Sequence, residues 1–146
     1  MNGPLTGKTV IITGAGAGIG LGILRQCLAW GADVTGFDIN TSARKKIEAE
    51  GGSFAQVDVG DPDALRDAIA QVAARKGALH GLVSNAGITI QKPFAEMTVE
   101  EMDLLWRVNQ LAVMVGAQAA APLIRQSGGG AIVNIASNHA RASDQG

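Results

Sequence analysis

Four closely spaced glycines are the residues of this sequence whose type and spacing point most directly to chemistry. In "TVIITGAGAGIG" (9–20), an apolar segment ends at Thr13 and glycine then occupies every second position up to Gly20. Such a run carries a large conformational-entropy cost, so we expect something to approach this backbone closely. A strand that turns here into a helix would present free N–H groups and a positive dipole end to a diphosphate. The alternative is a glycine-rich turn that binds nothing.

Asp38 ends the next apolar segment, "DVTGFD" (33–38). A carboxylate at the end of a second strand can accept hydrogen bonds from the 2′- and 3′-hydroxyls of an adenosine ribose, and it repels a 2′-phosphate. No Arg or Lys lies in the glycine run or directly after Asp38. The pattern therefore favours NAD over NADP as a cofactor. The alternative for Asp38 is a solvated acidic residue in a loop.

The elements that would position these residues alternate between strand-like and helix-like patterns. Short apolar segments predict strands at 8–13, 33–38, 53–59, 79–85 and 130–137. Helical patterns occupy 19–31, 41–52, 61–77 and 99–125. This alternation predicts an α/β fold, a doubly wound parallel sheet in the order 3-2-1-4-5. Ligands of such sheets bind at the carboxyl ends of the strands, near the switch between strands one and four.

Local signals mark the ends of several helices. Asp61 precedes Pro62, and Thr98 precedes Glu101 by three residues, which predicts an N-cap and a capping box. Pro122 should kink the last helix or end it early. Gly20 and Gly22 would let the first helix pack closely on the sheet.

Five motifs together resemble the short-chain dehydrogenase/reductase family. "TGAGAGIG" (13–20) resembles its Thr-Gly-x-x-x-Gly-x-Gly loop, and "SNAG" (84–87) resembles its Asn-Asn-Ala-Gly motif, with Ser84 replacing the first Asn. The other three are "VDV" (57–59), "PFAEMTVEEMDLLWRVN" (93–109) and "GAIVNIAS" (130–137). The resemblance covers residues 1–146 and implies a Rossmann-like domain, the amino-terminal half of a dehydrogenase truncated after strand five.

The resemblance implies a set of site residues. The catalytic asparagine and serine would be Asn109 and Ser137. The cofactor-binding residues would be Thr13, Gly14, Ala17, Gly18, Ile19, Gly20, Asp38, Asp58, Val59, Asn85, Ala86 and Gly87.

The implied chemistry is hydride transfer between a nicotinamide and an alcohol or ketone. In the family, a tyrosine exchanges the hydroxyl proton, and a lysine four residues later lowers the pKa of that phenol. The sequence contains no tyrosine. We therefore expect the 146-residue chain to be inactive by itself.

Two other readings remain open. The first is a non-catalytic dinucleotide-binding or self-associating module, which a stop codon after residue 146 would favour over a downstream Tyr-x-x-x-Lys motif. The second is a related sheet that binds a flavin or a methyl donor. The spacing of the glycine loop and the "SNAG" motif argue against the second reading.

Composition and charge limit the partners. Twelve basic and thirteen acidic residues leave a net charge of −1, which argues against nucleic acid as a partner. The sequence has no long apolar span and no secretory signal pattern, so we expect a cytoplasmic protein without a membrane partner. The lone Cys27 and His139 are interpreted as structural, and no metal site is expected. Exposed apolar surface on the last helix would favour a homo-oligomer.

Overall fold

Five parallel strands form one sheet in the order β3-β2-β1-β4-β5 in the computed structural model, which describes residues 3–137. The predicted order and fold class are confirmed. The strands are β1 Thr9–Thr13, β2 Asp33–Asp38, β3 Ser53–Gln56, β4 Gly81–Ser84 and β5 Ala131–Asn134. The α-helices are α1 Gly18–Ala29, α2 Ala43–Ala49, α3 Pro62–Lys76, α4 Val99–Trp106 and α5 Ala112–Gln126. His139 lies outside the described residues.

Apolar clusters cover both faces of the sheet, as a doubly wound sheet requires. One cluster joins Ile11 and Leu82 of the sheet to Ile69 of α3 and Val115 of α5. The other, on the opposite face, includes the buried thiol of Cys27, in agreement with its structural interpretation. Because β1 is buried along its whole length, the glycine turn that follows it starts from the interior of the protein.

The predicted third strand is too long. Pairing with β2 ends at Gln56, and "VDV" forms a loop. The N–H of Val57 still donates to the carbonyl of Asp38, but the chain then turns through Asp58, whose carboxylate accepts from the N–H of Gly60 at 2.8 Å. Asp58 and Val59 therefore lie at the carboxyl end of the sheet rather than within it.

The last predicted helix is interrupted, but not at Pro122. A π-helical turn, Arg107–Leu111, separates α4 from α5, and α5 continues through Pro122 to its end at Gln126. Pro122 is exposed, so water can hydrate the carbonyl group that loses its helical partner there. The expectation that Pro122 ends the helix early is therefore wrong. The predicted N-cap at Asp61 and the capping box of Thr98 and Glu101 are both confirmed.

His80 forms a hydrogen bond with the first residue of β1 and makes the free energy of unfolding depend on pH. His80 Nδ1 accepts a hydrogen bond from the N–H of Thr9 at 3.1 Å, and this requires an unprotonated ring nitrogen. Burial, and to a smaller extent the charge of Lys8, lowers the pKa of His80 below its ordinary value of 6.5. The neutral form therefore contributes stability above pH 6.5, and that contribution is lost as the pH falls towards the pKa of the folded state.

We expect the pH dependence of the free energy of unfolding to be shallower in His80→Asn than in the wild type below about pH 6.5. Asparagine keeps an oxygen acceptor near Thr9 but cannot titrate in this range. Urea denaturation between pH 5 and 8 measures both curves, and their difference isolates His80 from the carboxylates. Parallel curves would contradict the role given to His80.

Candidate cofactor site

An open cleft of about 630 Å³ lies at the carboxyl ends of β1, β2 and β4. This is the switch point at which the sequence predicts a ligand. Ten of the predicted cofactor residues line it: Gly14, Ala17, Gly18, Ile19, Asp38, Asp58, Val59, Asn85, Ala86 and Gly87. Thr13 and Gly20 are not among the lining residues.

The glycine turn has the geometry of an anion cradle. Gly14 and Gly18 adopt left-handed backbone angles, with φ of 62° and 51°. A Cβ atom at Gly14 would lie 2.8 Å from the Cα of Ala86, whereas one at Gly18 would meet nothing within 4 Å in the part of the chain that the structure describes. Ala17 caps α1 without a side-chain hydrogen bond, and the first turn carries no acidic residue. The N–H groups at the start of α1 are therefore open to a diphosphate.

Thr13 and Asn85 join the glycine turn to the end of β4. The Oγ1 of Thr13 accepts hydrogen bonds from the N–H groups of Asn85 and Ala86, each at 3.0 Å. In return, Nδ2 of Asn85 donates to the carbonyl groups of Thr13 and Gly14, at 3.1 and 3.2 Å. Thr13 is buried, and through these hydrogen bonds it positions the two segments.

Gly20 also acts behind the cleft. A Cβ atom there would collide with the carbonyl oxygen of Gly14 and with Nδ2 of Asn85. The first turn of α1 can therefore pack against the glycine turn only if residue 20 has no side chain. Gly22 shows no such contact, because a Cβ atom there would meet no atom of the described residues within 4 Å. Of these two positions, the predicted close packing applies to Gly20 alone.

Asp38 presents a fixed carboxylate to the cleft. Its Oδ2 accepts from the N–H of Gly16 at 2.9 Å, and its Oδ1 accepts from the N–H of Asn40 at 3.0 Å. A carboxylate oxygen can accept more than one hydrogen bond, so both oxygens keep the capacity to accept from ligand hydroxyls.

The two predicted catalytic residues lie outside the cleft lining. Asn109 belongs to the π-helical turn, and its side chain is engaged at both ends by the backbone of Ile88. Its Oδ1 accepts from the Ile88 N–H at 2.8 Å, and its Nδ2 donates to the Ile88 carbonyl at 2.9 Å. Ser137 follows the edge strand β5 by three residues. π-helical turns occur frequently at functional sites.

Apolar side chains that sequence reasoning missed complete the walls of the cleft. They are Phe37, Ile39, Val57, Ile88, Leu104 and Val108. Ile39 and Ile88 follow predicted site residues directly, and that adjacency could have identified them. Leu104 and Val108 are four residues apart on α4 and the π-helical turn, and no local signal distinguishes them from core residues.

Neither a metal centre nor a membrane helix is found in residues 3–137. No three His, Cys, Asp or Glu side chains lie together in an arrangement that could hold a metal ion. No helix in this range is long and apolar enough to cross a bilayer.

Comparisons with known proteins place these features in one family. The short chain dehydrogenase family matches residues 8–145. The chain is 35% identical over 139 residues to 2,5-dichloro-2,5-cyclohexadiene-1,4-diol dehydrogenase LinX of Sphingobium indicum, covering 91% of this chain and 56% of LinX. It is 33% identical over 140 residues to 3-beta-hydroxysteroid dehydrogenase of Comamonas testosteroni, covering 94% and 55%. It is 37% identical over 139 residues to gluconate 5-dehydrogenase of Gluconobacter oxydans, covering 91% and 54%.

A solved structure shows the same fold. A protein of Sinorhizobium meliloti 1021, assigned to the short-chain alcohol dehydrogenases, superposes with a TM-score of 0.87 and 29% identity. The match covers 96% of this chain and 58% of that one. The chain therefore spans little more than half the length of the relatives it matches. From the family match, the relatives and the shared sheet, we conclude that this chain belongs to the short-chain dehydrogenase family.

Proposed function

We propose that this chain is the dinucleotide-binding part of an NAD(H)-dependent oxidoreductase that acts on a small-molecule alcohol or ketone. The observation that carries the proposal is the pairing of an uncapped, glycine-rich helix start with the Asp38 carboxylate in one cleft. A bare helix terminus suits the diphosphate of a dinucleotide, and a carboxylate suits its ribose hydroxyls.

The cleft residues divide between the parts of such a cofactor. The N–H groups at Gly18 and Ile19 would hold the diphosphate, while Asp58 and Val59 would contact the adenine. The backbone of Asn85, Ala86 and Gly87 would run beside the ribose of the nicotinamide. When bound, NAD supplies the carbon that accepts or donates a hydride. The protein's part is to orient the cofactor and to move the hydroxyl proton.

The charges near Asp38 support NAD rather than NADP. No Lys or Arg lines the cleft within the described residues. Arg44, the first cation after Asp38 in the sequence, pairs with Glu48 at 3.1 Å and lies over the ring of Phe54 at 4.7 Å. A 2′-phosphate would therefore meet the Asp38 carboxylate without a compensating cation.

Asn109 and Ser137 are proposed as the catalytic residues of this chain. Asn109 would organise a water molecule that relays protons, and Ser137 would hydrogen-bond the substrate oxygen. The sequence supplies no tyrosine to exchange the hydroxyl proton, so we propose that the 146 residues alone do not turn over substrate. The names of the relatives, a diol, a hydroxysteroid and a gluconate dehydrogenase, support an alcohol or ketone as the substrate class.

We propose that the protein is cytoplasmic and forms a homo-oligomer. Exposed apolar side chains support the homo-oligomer. Val99 and Trp106 of α4 are 75% and 51% exposed, and Met114 of α5 is 51% exposed. On the edge strand β5, Val133 is 47% exposed. Apolar surface of this kind marks contact sites between proteins. The same surface would serve the alternative, a non-catalytic, self-associating module.

Calorimetric titration with NAD and NADP tests the proposal, and Asp38→Ala is the decisive variant. We expect wild-type chain to bind NAD more tightly than NADP. In Asp38→Ala, NAD affinity should fall by about tenfold or more, because charge-assisted hydrogen bonds to the ribose are lost. NADP affinity should not fall, because the repulsion is also removed.

Asp63→Ala is the matched control for this experiment. Asp63 is an exposed carboxylate of α3 outside the cleft, so its removal changes the net charge equally without touching the site. NAD affinity should stay at the wild-type value in this variant. Equal losses in the two variants, or none in Asp38→Ala, would refute the assignment of Asp38 to the ribose.

A further inference from the structure

The carboxylate of Asp38 is fastened by main-chain donors on two different segments. Gly16 belongs to the glycine turn and Asn40 to the loop after β2, and each donates its N–H to a different carboxylate oxygen. Main-chain donors cannot rotate away as a side chain can. They therefore set the orientation of the carboxylate before any ligand arrives, and preorganisation of this kind favours binding.

Position 16 requires glycine because a side chain would not fit there, and its backbone conformation does not require glycine. Its φ lies outside the left-handed region in which glycine is favoured. A Cβ atom at this position would lie 2.7 Å from Oδ2 of Asp38 and would collide with the Cβ of Ala43, the first residue of α2. Ala43 is buried, so it cannot move aside without shifting α2. Any side chain at position 16 must therefore displace the carboxylate, the helix or both.

We infer that Gly16 is a positioning residue for the discrimination between NAD and NADP. The N–H of Gly16 holds the Asp38 carboxylate in place. Because Gly16 has no side chain, the space between Ala43 and Oδ2 of Asp38 stays free for that carboxylate. This inference rests on the proposed function. Asp38 provides the charge that distinguishes a ribose hydroxyl from a 2′-phosphate, and Gly16 determines where that charge lies.

Displacement of the carboxylate should affect the two cofactors unequally. NAD would lose hydrogen bonds to its ribose hydroxyls, whereas NADP would lose a repulsion. The dissociation constant for NADP divided by that for NAD should therefore decrease. A purely structural role for Gly16 would instead lower stability or weaken both cofactors alike.

The test compares Gly16→Ala with Gly16→Ala/Ala43→Gly by calorimetric titration of the 146-residue chain with each cofactor. The second substitution removes the collision with Ala43 but leaves the one with Asp38 Oδ2, so it protects the fold without restoring the carboxylate position. We expect NAD affinity to fall about tenfold in both variants and the NADP-to-NAD ratio of dissociation constants to narrow. Gly22→Ala, a glycine-to-alanine change in open space, should leave that ratio unchanged. A wild-type ratio in the folded double variant would overturn the inference.

A measurement without cofactor separates this inference from the proposed function. By NMR, the amide proton resonance of Gly16 should lie further downfield in the wild type than in Asp38→Ala, because that variant lacks the carboxylate to which the Gly16 N–H donates. Should the wild-type chain bind neither dinucleotide, the NAD proposal fails, and with it the role in discrimination. The amide measurement then decides the positioning of Asp38 alone. An amide proton resonance of Gly16 that is the same in the wild type and in Asp38→Ala would overturn the positioning role, whatever the cofactors do.

Discussion

Gly20→Ala should lower the free energy of unfolding by roughly 2 kcal/mol or more, although alanine is the better helix former. The added methyl group would enter the space of the Gly14 carbonyl oxygen and of Asn85 Nδ2. Neither group can yield easily, because Asn85 is tied to the backbone of Thr13 and Gly14 by its own hydrogen bonds. Chemical denaturation measures the loss, and the same distortion should weaken NAD binding.

Gly22→Ala is the matched control on the same helix. Residue 22 is exposed, and its new methyl group would meet no atom of residues 3–137 within 4 Å. Only helix propensity then changes, and it should raise the free energy of unfolding by about 0.5 to 1 kcal/mol. Opposite signs for the two substitutions are the expected result. Equal changes in the free energy of unfolding would show that the contact between α1 and the glycine turn does not require glycine at position 20.

Thr13→Val should lower the free energy of unfolding by roughly 2 to 6 kcal/mol at nearly constant volume. The Oγ1 of Thr13 is the acceptor for two backbone N–H groups, those of Asn85 and Ala86. Valine would leave both donors without their acceptor in a partly buried place, and each unsatisfied donor costs about 1 to 3 kcal/mol. Since Asn85 and Ala86 also line the cleft, the affinity for NAD should decrease in calorimetric titrations of the folded variant.

Thr35→Val is the same exchange on the neighbouring strand and should have the opposite effect. Thr35 is as deeply buried as Thr13, but its Oγ1 has no hydrogen-bond partner among residues 3–137. Removing an unsatisfied hydroxyl should leave stability unchanged or raise it by about 1 kcal/mol. Denaturation of both variants in one buffer provides the comparison. A destabilised Thr35→Val would mean that the loss in Thr13→Val reflects the threonine-to-valine change itself rather than the hydrogen bonds.

Much of the fold could be predicted from the sequence because its signals are local. Apolar runs separated by helical patterns indicate a doubly wound parallel sheet, most simply in the order 3-2-1-4-5, in which all strands end at the same edge. The glycine turn and Asp38 could be placed at the same sheet edge for that reason alone. The capping box at Thr98 could be predicted equally well, since both partners lie within one turn of helix.

The interruption of the last helix could not be predicted in this way. Pro122 carries the strongest local signal for a break, yet α5 continues through it because it faces solvent. The actual irregularity is the π-helical turn at Arg107–Leu111, which contains no proline or glycine. There Asn109 bonds to the backbone of Ile88, a residue 21 positions away. Only the tertiary structure brings these two segments together.

The sequence by itself determined which residues reach the carboxyl edge of the sheet: the glycine run, Asp38 and the "SNAG" segment. The tertiary structure alone decided what each of them does there. It buries Thr13 as an acceptor for Asn85 and Ala86, places Gly20 behind the cleft, and fastens Asp38 to Gly16. Hydrophobic periodicity records which face of an element is buried, and this is a local property. Partners 22 to 73 residues apart are brought together by strand register and helix packing, which no local pattern encodes.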